Sequence, residues 1–428
     1  MSLTPAAEKL TMDIRWIMWG QTCKSQSAFF AAPISPTYSF LGGIPLLKTN
    51  KKWMILVAFV SIFGLAISTG IRGILVPNFI DNFGVTDGQI GMLFTATTFF
   101  SVFAIYFGSQ WGERYGLKRI ILIAQLLNGV LFLAVSQIQS YTLFVIGYSL
   151  IQFCVSLLII SLNTMATVIQ VRYPAILVNL VHFFFGLGLT ISQRAGGELV
   201  SRGFDWVDLF QMVGILFFAT AALTFFMKEP NAMTGAAKVR LNALPHKAYL
   251  VLLALGVGFY VASELQTANW IVYYLKTIYN FAEDKAGEIS AVFFGLFTIG
   301  RLLGGVIAEK LGYVRSVVVF TACASVLYIS GMLLGEAGLY LIAGSGFFYS
   351  LVFPMVTIIL ARDFGQYRAT AIALVSTAGN LMTLITSLLI GGVTDWVGIG
   401  IGYWVIPISI TLSALSFMVA FGRQRKLR

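Results

Sequence analysis

Apolar residues run along this chain in long blocks, separated by short clusters of charge, glycine or proline. A helix needs roughly 20 apolar residues to cross the hydrocarbon of a bilayer. Twelve blocks come to about that length, near residues 53–78, 89–110, 119–137, 142–169, 175–198, 206–227, 248–276, 287–308, 315–333, 339–361, 369–392 and 399–421. The strict alternation that marks a membrane barrel is absent. Backbone in lipid must satisfy its own hydrogen bonds, so helices are the expected spans. The pattern predicts an all-α integral membrane protein of twelve transmembrane helices, here numbered spans 1 to 12.

Composition supports that reading. Of 428 residues, 58% are hydrophobic and 11% charged, with mean hydropathy +0.86. A soluble domain carries about 25% charged residues, so the main solvent of this chain is expected to be lipid. The net charge of +11 would suggest nucleic acid on a soluble protein. Here the bases sit in short loops between apolar blocks, and a nucleic-acid partner is not expected. From Lys48 onward, nineteen Lys and Arg fall on the side that holds both ends of the bundle and four on the other, if residue 52 precedes span 1 on the inside. Basic loops stay cytoplasmic, which predicts an even number of spans, both termini in the cytoplasm and a cell-membrane location. Cys23, Cys154 and Cys323 lie far apart, and His182 and His246 are the two histidines, so neither a disulfide frame nor a metal site can be built. No cofactor is expected. Residues 1–50 contain Pro5, Pro33, Pro36 and Pro45 and no clean apolar run. They are expected to be a disordered or artefactual extension.

A polar stretch at 228–247, with Pro230, Gly235 and Pro245, divides six spans from six, giving expected bundles at 51–227 and 248–422 and a basic tail at 423–428. The loop between spans 2 and 3 reads Ser-Gln-Trp-Gly-Glu-Arg-Tyr-Gly-Leu-Lys-Arg at 109–119. The loop between spans 8 and 9 reads Gly-Val-Ile-Ala-Glu-Lys-Leu-Gly-Tyr-Val-Arg at 305–315. Acid, base, glycine and terminal base recur at a constant offset of 196 residues. Internal symmetry of this kind marks transporters built from repeats, with the substrate site between the halves.

These loops are similar to the cytoplasmic acid-Arg-x-Gly-x-basic motif of the major facilitator superfamily. Gly305 keeps the family's leading glycine and Ser109 departs from it. The resemblance implies two pseudo-symmetric six-helix bundles. It also implies a conformational latch at Glu113, Arg114, Gly116 and Arg119, and at Glu309, Lys310, Gly312 and Arg315, with each carboxylate set to reach a helix N-terminus. The segments Asn179 to Gly188 in span 5, Glu264 to Trp270 in span 7 and Val352-Phe353-Pro354 in span 10 resemble the fucose- and glucose-permease type of sugar:proton symporters.

Charges inside the membrane are costly and therefore functional candidates. Three occur: Arg72, Glu264 and Arg301. At 100° per residue, Tyr260, Ser263, Glu264, Gln266, Thr267, Trp270 and Tyr273 cover about half of span 7, opposite Val261, Leu265, Ala268 and Val272. That stripe suits a sugar, with hydroxyls hydrogen-bonded and an apolar ring face stacked. Expected substrate-binding residues are Glu264, Gln266, Asn269, Trp270 and Tyr273 in span 7, Gln152 and Asn163 in span 4, His182 in span 5 and Asn380 in span 11. Interhelical hydrogen bonding is the alternative for each. Arg301 pairs with Glu264, binds substrate or packs against the latch; Arg72 acts in transport or snorkels.

The symporters this chain resembles carry acids on spans 1 and 4. Span 1 has none inside, and Ile159 stands four residues before Asn163. The coupling candidates are therefore Glu264, His182 and Arg301, with a coupled proton falling to Glu264 or His182, and uniport stays open. The expected function is secondary transport of a small polar solute, a sugar first, by a monomer in the lipid bilayer. The alternative is an efflux antiporter of the same fold, which often has Gly-Pro where Ser192-Gln193 stands before Gly196-Gly197. No catalytic constellation or phosphate-binding loop is present, so the chain is not expected to be an enzyme.

Overall fold

The structure, a computed structural model, describes residues 51–169, 174–228 and 245–427. The expected extension at 1–50 and the core of the linker, 229–244, lie outside the described residues, as does the side chain of Glu113.

Span 1 is Lys51–Ile74, continued by Val76–Phe83. Spans 2 to 6 are Asp87–Tyr115, Leu117–Val135, Tyr141–Val168, Pro174–Ser201 and Trp206–Phe225. Spans 7 to 9 are Lys247–Tyr279, Glu283–Leu311 and Tyr313–Leu333. Span 10 is Leu339–Tyr349 continued by Val352–Phe364, span 11 is Arg368–Val397, and span 12 runs through Ile399–Gly402 and Val405–Leu427. Eleven stretches among the described residues are long and apolar enough to cross a membrane, and Pro174–Ser201 holds the place expected for span 5. The twelve-helix, two-bundle architecture read from the sequence is what the chain adopts.

Local chemistry sets the ends and breaks of these helices. Span 2 starts with a capping box in which the Thr86 hydroxyl accepts from Gln89 N–H and the Gln89 side chain accepts from Thr86 N–H. Spans 1 and 10 are broken, which the hydrophobic pattern did not predict. Pro77 and Pro354 have no N–H to give the carbonyl four residues back, and the helices yield at Leu75 and at Ser350–Leu351. The repeat is exact at the two motif turns. Gly116 (φ 88°, ψ 145°) and Gly312 (φ 83°, ψ 140°) each end one helix and start the next. That backbone region is open to glycine and strained for other residues, so the 196-residue offset repeats a turn geometry as well as letters.

The two bundles have different cores. In the first, rings of Phe79, Phe144, Trp206 and Phe210 meet with centroids 4.9–6.2 Å apart. In the second, hydroxyls bond to one another and to backbone carbonyls. Tyr260 donates to the Tyr349 carbonyl at 2.9 Å, Ser263 pairs with the Tyr349 hydroxyl, and Thr267, Tyr328 and Tyr403 link at 3.0 and 2.8 Å. The break in span 10 leaves the Tyr349 carbonyl without a backbone partner, and Tyr260 fills the vacancy.

Hydrogen bonds between the bundles gather at the end opposite the motif turns. Asp395 of span 11 accepts from the Thr86 hydroxyl at 2.9 Å and from Gly88 N–H at 2.7 Å, so it caps span 2 from the other bundle. Arg194 of span 5 donates to the Asp284 carbonyl at 3.2 Å and lies 3.6 Å from Glu288 of span 8. Both crossings close on paired glycines. A Cβ on Gly91 would stand 2.7 Å from the Ser387 carbonyl and 2.9 Å from Gly391 Cα. One on Gly287 would stand 2.6 Å from the Gln193 carbonyl and 3.2 Å from Gly197 Cα. Gly91 and Gly287 are again 196 apart. Toward the motif turns, Phe99 and Phe103 of span 2 and Leu302, Leu303 and Val306 of span 8 are exposed. The bundles are closed at the Asp395 end.

Candidate functional site

Between the bundles lies a cavity of about 200 Å³. Ile62, Ile159, Asn163, His182 and Phe185 line it from spans 1, 4 and 5. Tyr260, Val261, Glu264, Leu265, Arg301 and Phe353 line it from spans 7, 8 and 10. Three of the rare intramembrane polar groups singled out in the sequence, Glu264, His182 and Arg301, therefore meet at one place, joined by Asn163. A larger cavity of about 420 Å³ lies between spans 2 and 4, walled by Phe99, Phe103, Trp111 and other apolar side chains. It has no polar group to orient a solute, so the chemistry belongs to the smaller one.

Arg301 is half-buried. Its guanidinium carbon stands 4.2 Å from the centroid of the Phe297 ring, one turn earlier in span 8, a cation–π contact that holds the fork against an apolar floor. Its Nε is buried without a hydrogen-bond partner. Glu264 faces it, yet the two are not among the ion pairs within 4.0 Å that the described residues form. Arg301 lies close enough to act through space on both Glu264 and His182. The Tyr260 hydroxyl lies beside Glu264, but its proton is donated to the Tyr349 carbonyl. Acid and base thus share a cavity with neither fully committed.

The side of span 7 that faces the cavity differs from the expected one. Val261 and Leu265, placed opposite the stripe by sequence, line the cavity with Tyr260 and Glu264. Gln266, Asn269 and Trp270 are buried at 0–2% exposure and stand away from it. Gln266 Nε2 donates to the Thr383 carbonyl at 2.9 Å, with Thr386 and Ser387 hydroxyls at 3.0 and 2.7 Å, and Asn269 donates to Gln266 at 3.3 Å. These side chains tie span 7 to span 11, as polar groups do between membrane helices. Trp270 packs edge-on against Phe94 of span 2 at 5.6 Å. Tyr273 stands beside Asp87 at the closed end. Asn380 donates back to the Ser376 carbonyl at 3.4 Å, and neither it nor Gln152 reaches the cavity. Arg72 is 8% exposed with its guanidinium 5.2 Å over Phe94, so it is packed inside and does not snorkel. Arg114, Arg119, Glu309, Lys310 and Arg315 are exposed around the motif turns.

The sequence profile of the Major Facilitator Superfamily matches residues 54–385. The chain belongs to that superfamily. It is a multi-span membrane transporter of small molecules, and not an enzyme. Two relatives share low but extended similarity with this facilitator. The "Cis,cis-muconate transport protein" of Acinetobacter baylyi is 24% identical over 351 residues, covering 76% of this chain and 83% of that protein. The "Glucose/galactose transporter" of Brucella abortus biovar 1 is 23% identical over 361 residues, covering 78% and 86%. Among solved structures, a D-xylose-proton symporter superposes with a TM-score of 0.73 at 15% identity, covering 86% of this facilitator and 97% of that chain. The facilitator fold puts its substrate site between the bundles, where Glu264, Arg301, His182 and Asn163 converge. Ile159 lines the same wall, so the residue four before Asn163 meets the cavity with a hydrocarbon side chain.

Proposed function

We propose that this facilitator moves a small hydroxylated solute of the sugar class across the cell membrane by alternating access, as a monomer with both termini in the cytoplasm. The observation that carries the reading is the convergence of Glu264, Arg301, His182 and Asn163, from spans 7, 8, 5 and 4, on one cavity between the bundles. A site shared by two bodies is one that a rocking motion can expose to either side. Asn163 and His182 supply hydrogen-bonding groups, and Phe185 and Phe353 supply apolar faces, a combination that suits a polyhydroxylated ring. The two hexoses in the name of the Brucella relative agree with it.

With the basic loops inside, the Asp395 end is the outer one and the cavity opens toward the cytoplasm. The bundles 51–227 and 248–422 are the moving bodies, and 228–247 joins them. Glu264 is the coupling group when protons are coupled, because the wall at Ile159 offers none. Gln266, Asn269 and Trp270 hold the shape of the C-terminal bundle. The motif residues around Gly116 and Gly312 close the cytoplasmic end in the opposite state.

Uptake of a panel of labelled monosaccharides and their oxidised derivatives into proteoliposomes, with and without an imposed pH gradient, tests this. Saturable uptake of at least one, lost in Glu264→Ala with the protein still folded, is the expected result. No uptake of any member, in protein that is monodisperse and thermally stable, overturns the reading.

A further inference from the structure

The cavity contains one fixed cation whose fork is unfilled. Arg301 Nε is buried without an acceptor, and no carboxylate of the described residues stands within ion-pairing distance of the guanidinium. Phe297 covers one face of the fork, and Arg301 is one of the side chains that line the cavity. A planar fork of this kind is matched by a carboxylate, which takes two parallel hydrogen bonds. A neutral sugar hydroxyl leaves the charge itself unmatched.

We propose that the solute is a hydroxylated carboxylate, a sugar acid rather than a neutral sugar, whose carboxylate seats on Arg301 and which travels with one proton held by Glu264. This rests on the reading of the cavity as the transport site.

The coupling follows from counting charge. With no solute, ionised Glu264 and Arg301 sum to zero. With a carboxylate on Arg301, the cavity returns to zero when Glu264 is protonated. The two remaining combinations, carboxylate with ionised Glu264 and empty site with protonated Glu264, leave a net charge among Ile62, Ile159, Phe185 and Phe353. An uncompensated charge in such surroundings is strongly disfavoured. A carrier that crosses only in its neutral forms moves one proton with each solute carboxylate. No acid on span 1 or span 4 is then needed, which accounts for Ile159.

The groups facing Glu264 are few. Arg301 comes from span 8, His182 from span 5 and Tyr260 from span 7 itself, and Tyr349 of span 10 lies behind Tyr260. Spans 1 and 4 contribute Ile62, Ile159 and Asn163, none of them ionisable. Between Arg368 at its first residue and Asp395 at the closed end, span 11 brings no ionisable group, and span 12 presents Tyr403 to Tyr328.

The test uses full-length protein in proteoliposomes, with labelled galacturonate as the acid and labelled galactose as its neutral counterpart, together with equilibrium binding of both. The expected result is galacturonate uptake driven by an acid outer compartment, with galactose neither taken up nor competing. Arg301→Gln should weaken galacturonate binding by at least about 30-fold, and Arg301→Lys should recover part of it. Wild-type binding should weaken as pH rises and Glu264 loses its proton, and Glu264→Gln should bind galacturonate with an affinity that does not change with pH. Uptake of galactose without galacturonate overturns this inference and leaves the transport reading standing; uptake of neither overturns this inference, and the transport reading falls with it only when every other member of the monosaccharide panel also fails. Unchanged galacturonate affinity in Arg301→Gln, or a pH dependence that persists in Glu264→Gln, also overturns it.

Discussion

The two bundles share a topology and a turn geometry, yet the clusters at their centres are built differently. In the first, rings of Phe79, Phe144, Trp206 and Phe210 interdigitate, with no hydrogen bond among them. In the second, Tyr260, Ser263, Thr267, Tyr328, Tyr349 and Tyr403 form a network of hydroxyls bonded to one another and to backbone carbonyls, and the two N–H of Gln266 are shared among three acceptors on span 11. Dispersion between rings depends on contact and little on direction, whereas hydrogen bonds fix orientation. The directional bundle is the one that holds Glu264 and Arg301. The first bundle brings only Asn163 and His182 to the cavity as polar groups. A charged pair that must stand apart yet face each other needs helices whose rotation is fixed, and span 7 is bonded on two sides to leave the third for the cavity.

The comparison can be broken first at the glycine crossings, where the halves should behave alike. Gly91→Leu and Gly287→Leu both drive a side chain into an opposing backbone, at positions where even a Cβ stands 2.7 and 2.6 Å from a carbonyl oxygen. Each should cut transport at least tenfold and raise the reactivity of a cysteine placed at the Asp395 end, measured with an impermeant thiol reagent. Unequal effects would show that one crossing alone closes that end.

Next come the cores. Phe210→Ala should destabilise by about 3–5 kcal/mol through the void it leaves. Tyr328→Phe removes hydroxyl contacts worth about 0.6 kcal/mol apiece between membrane helices. Thermal unfolding in detergent should rank them in that order, while Tyr328→Phe alone should alter solute affinity. The smallest effects lie at the closed end. Asp395→Asn weakens the charge on the N-terminus of span 2 and should favour opening there by about 1 kcal/mol. Arg194→Gln removes an ion pair whose side chains are 49% and 56% exposed, and should shift the balance by under about 0.5 kcal/mol. Spin-label distances across that end, in the two variants, measure both shifts.

The twelve spans were legible because lipid imposes one length on every apolar block. The repeat was legible because Gly116 and Gly312 occupy backbone conformations that few other residues tolerate. Glu264, Arg301 and His182 stood out because ionisable groups in apolar helices are rare. The face of span 7 was not legible. Helical periodicity separates polar from apolar sides, but in a bundle both the cavity and a neighbouring helix accept polar groups. Gln266 and Glu264 are two residues apart, and one ties while the other faces solute. The cavity position of Leu265 was hidden for the same reason, since an apolar residue serves equally against lipid, helix or substrate. Asp395 gave no local sign that it would cap a helix 307 residues away in sequence.

One contact sets a demand on the ligand itself. Because the phenolic proton of Tyr260 is held by the backbone of the kinked tenth helix, that oxygen has only lone pairs to present to whatever occupies the pocket. A ligand touching it must arrive with its own proton to give. Capping the matching ligand oxygen with a methyl group should therefore weaken recognition, and freeing the phenol by straightening the kink should relax that preference.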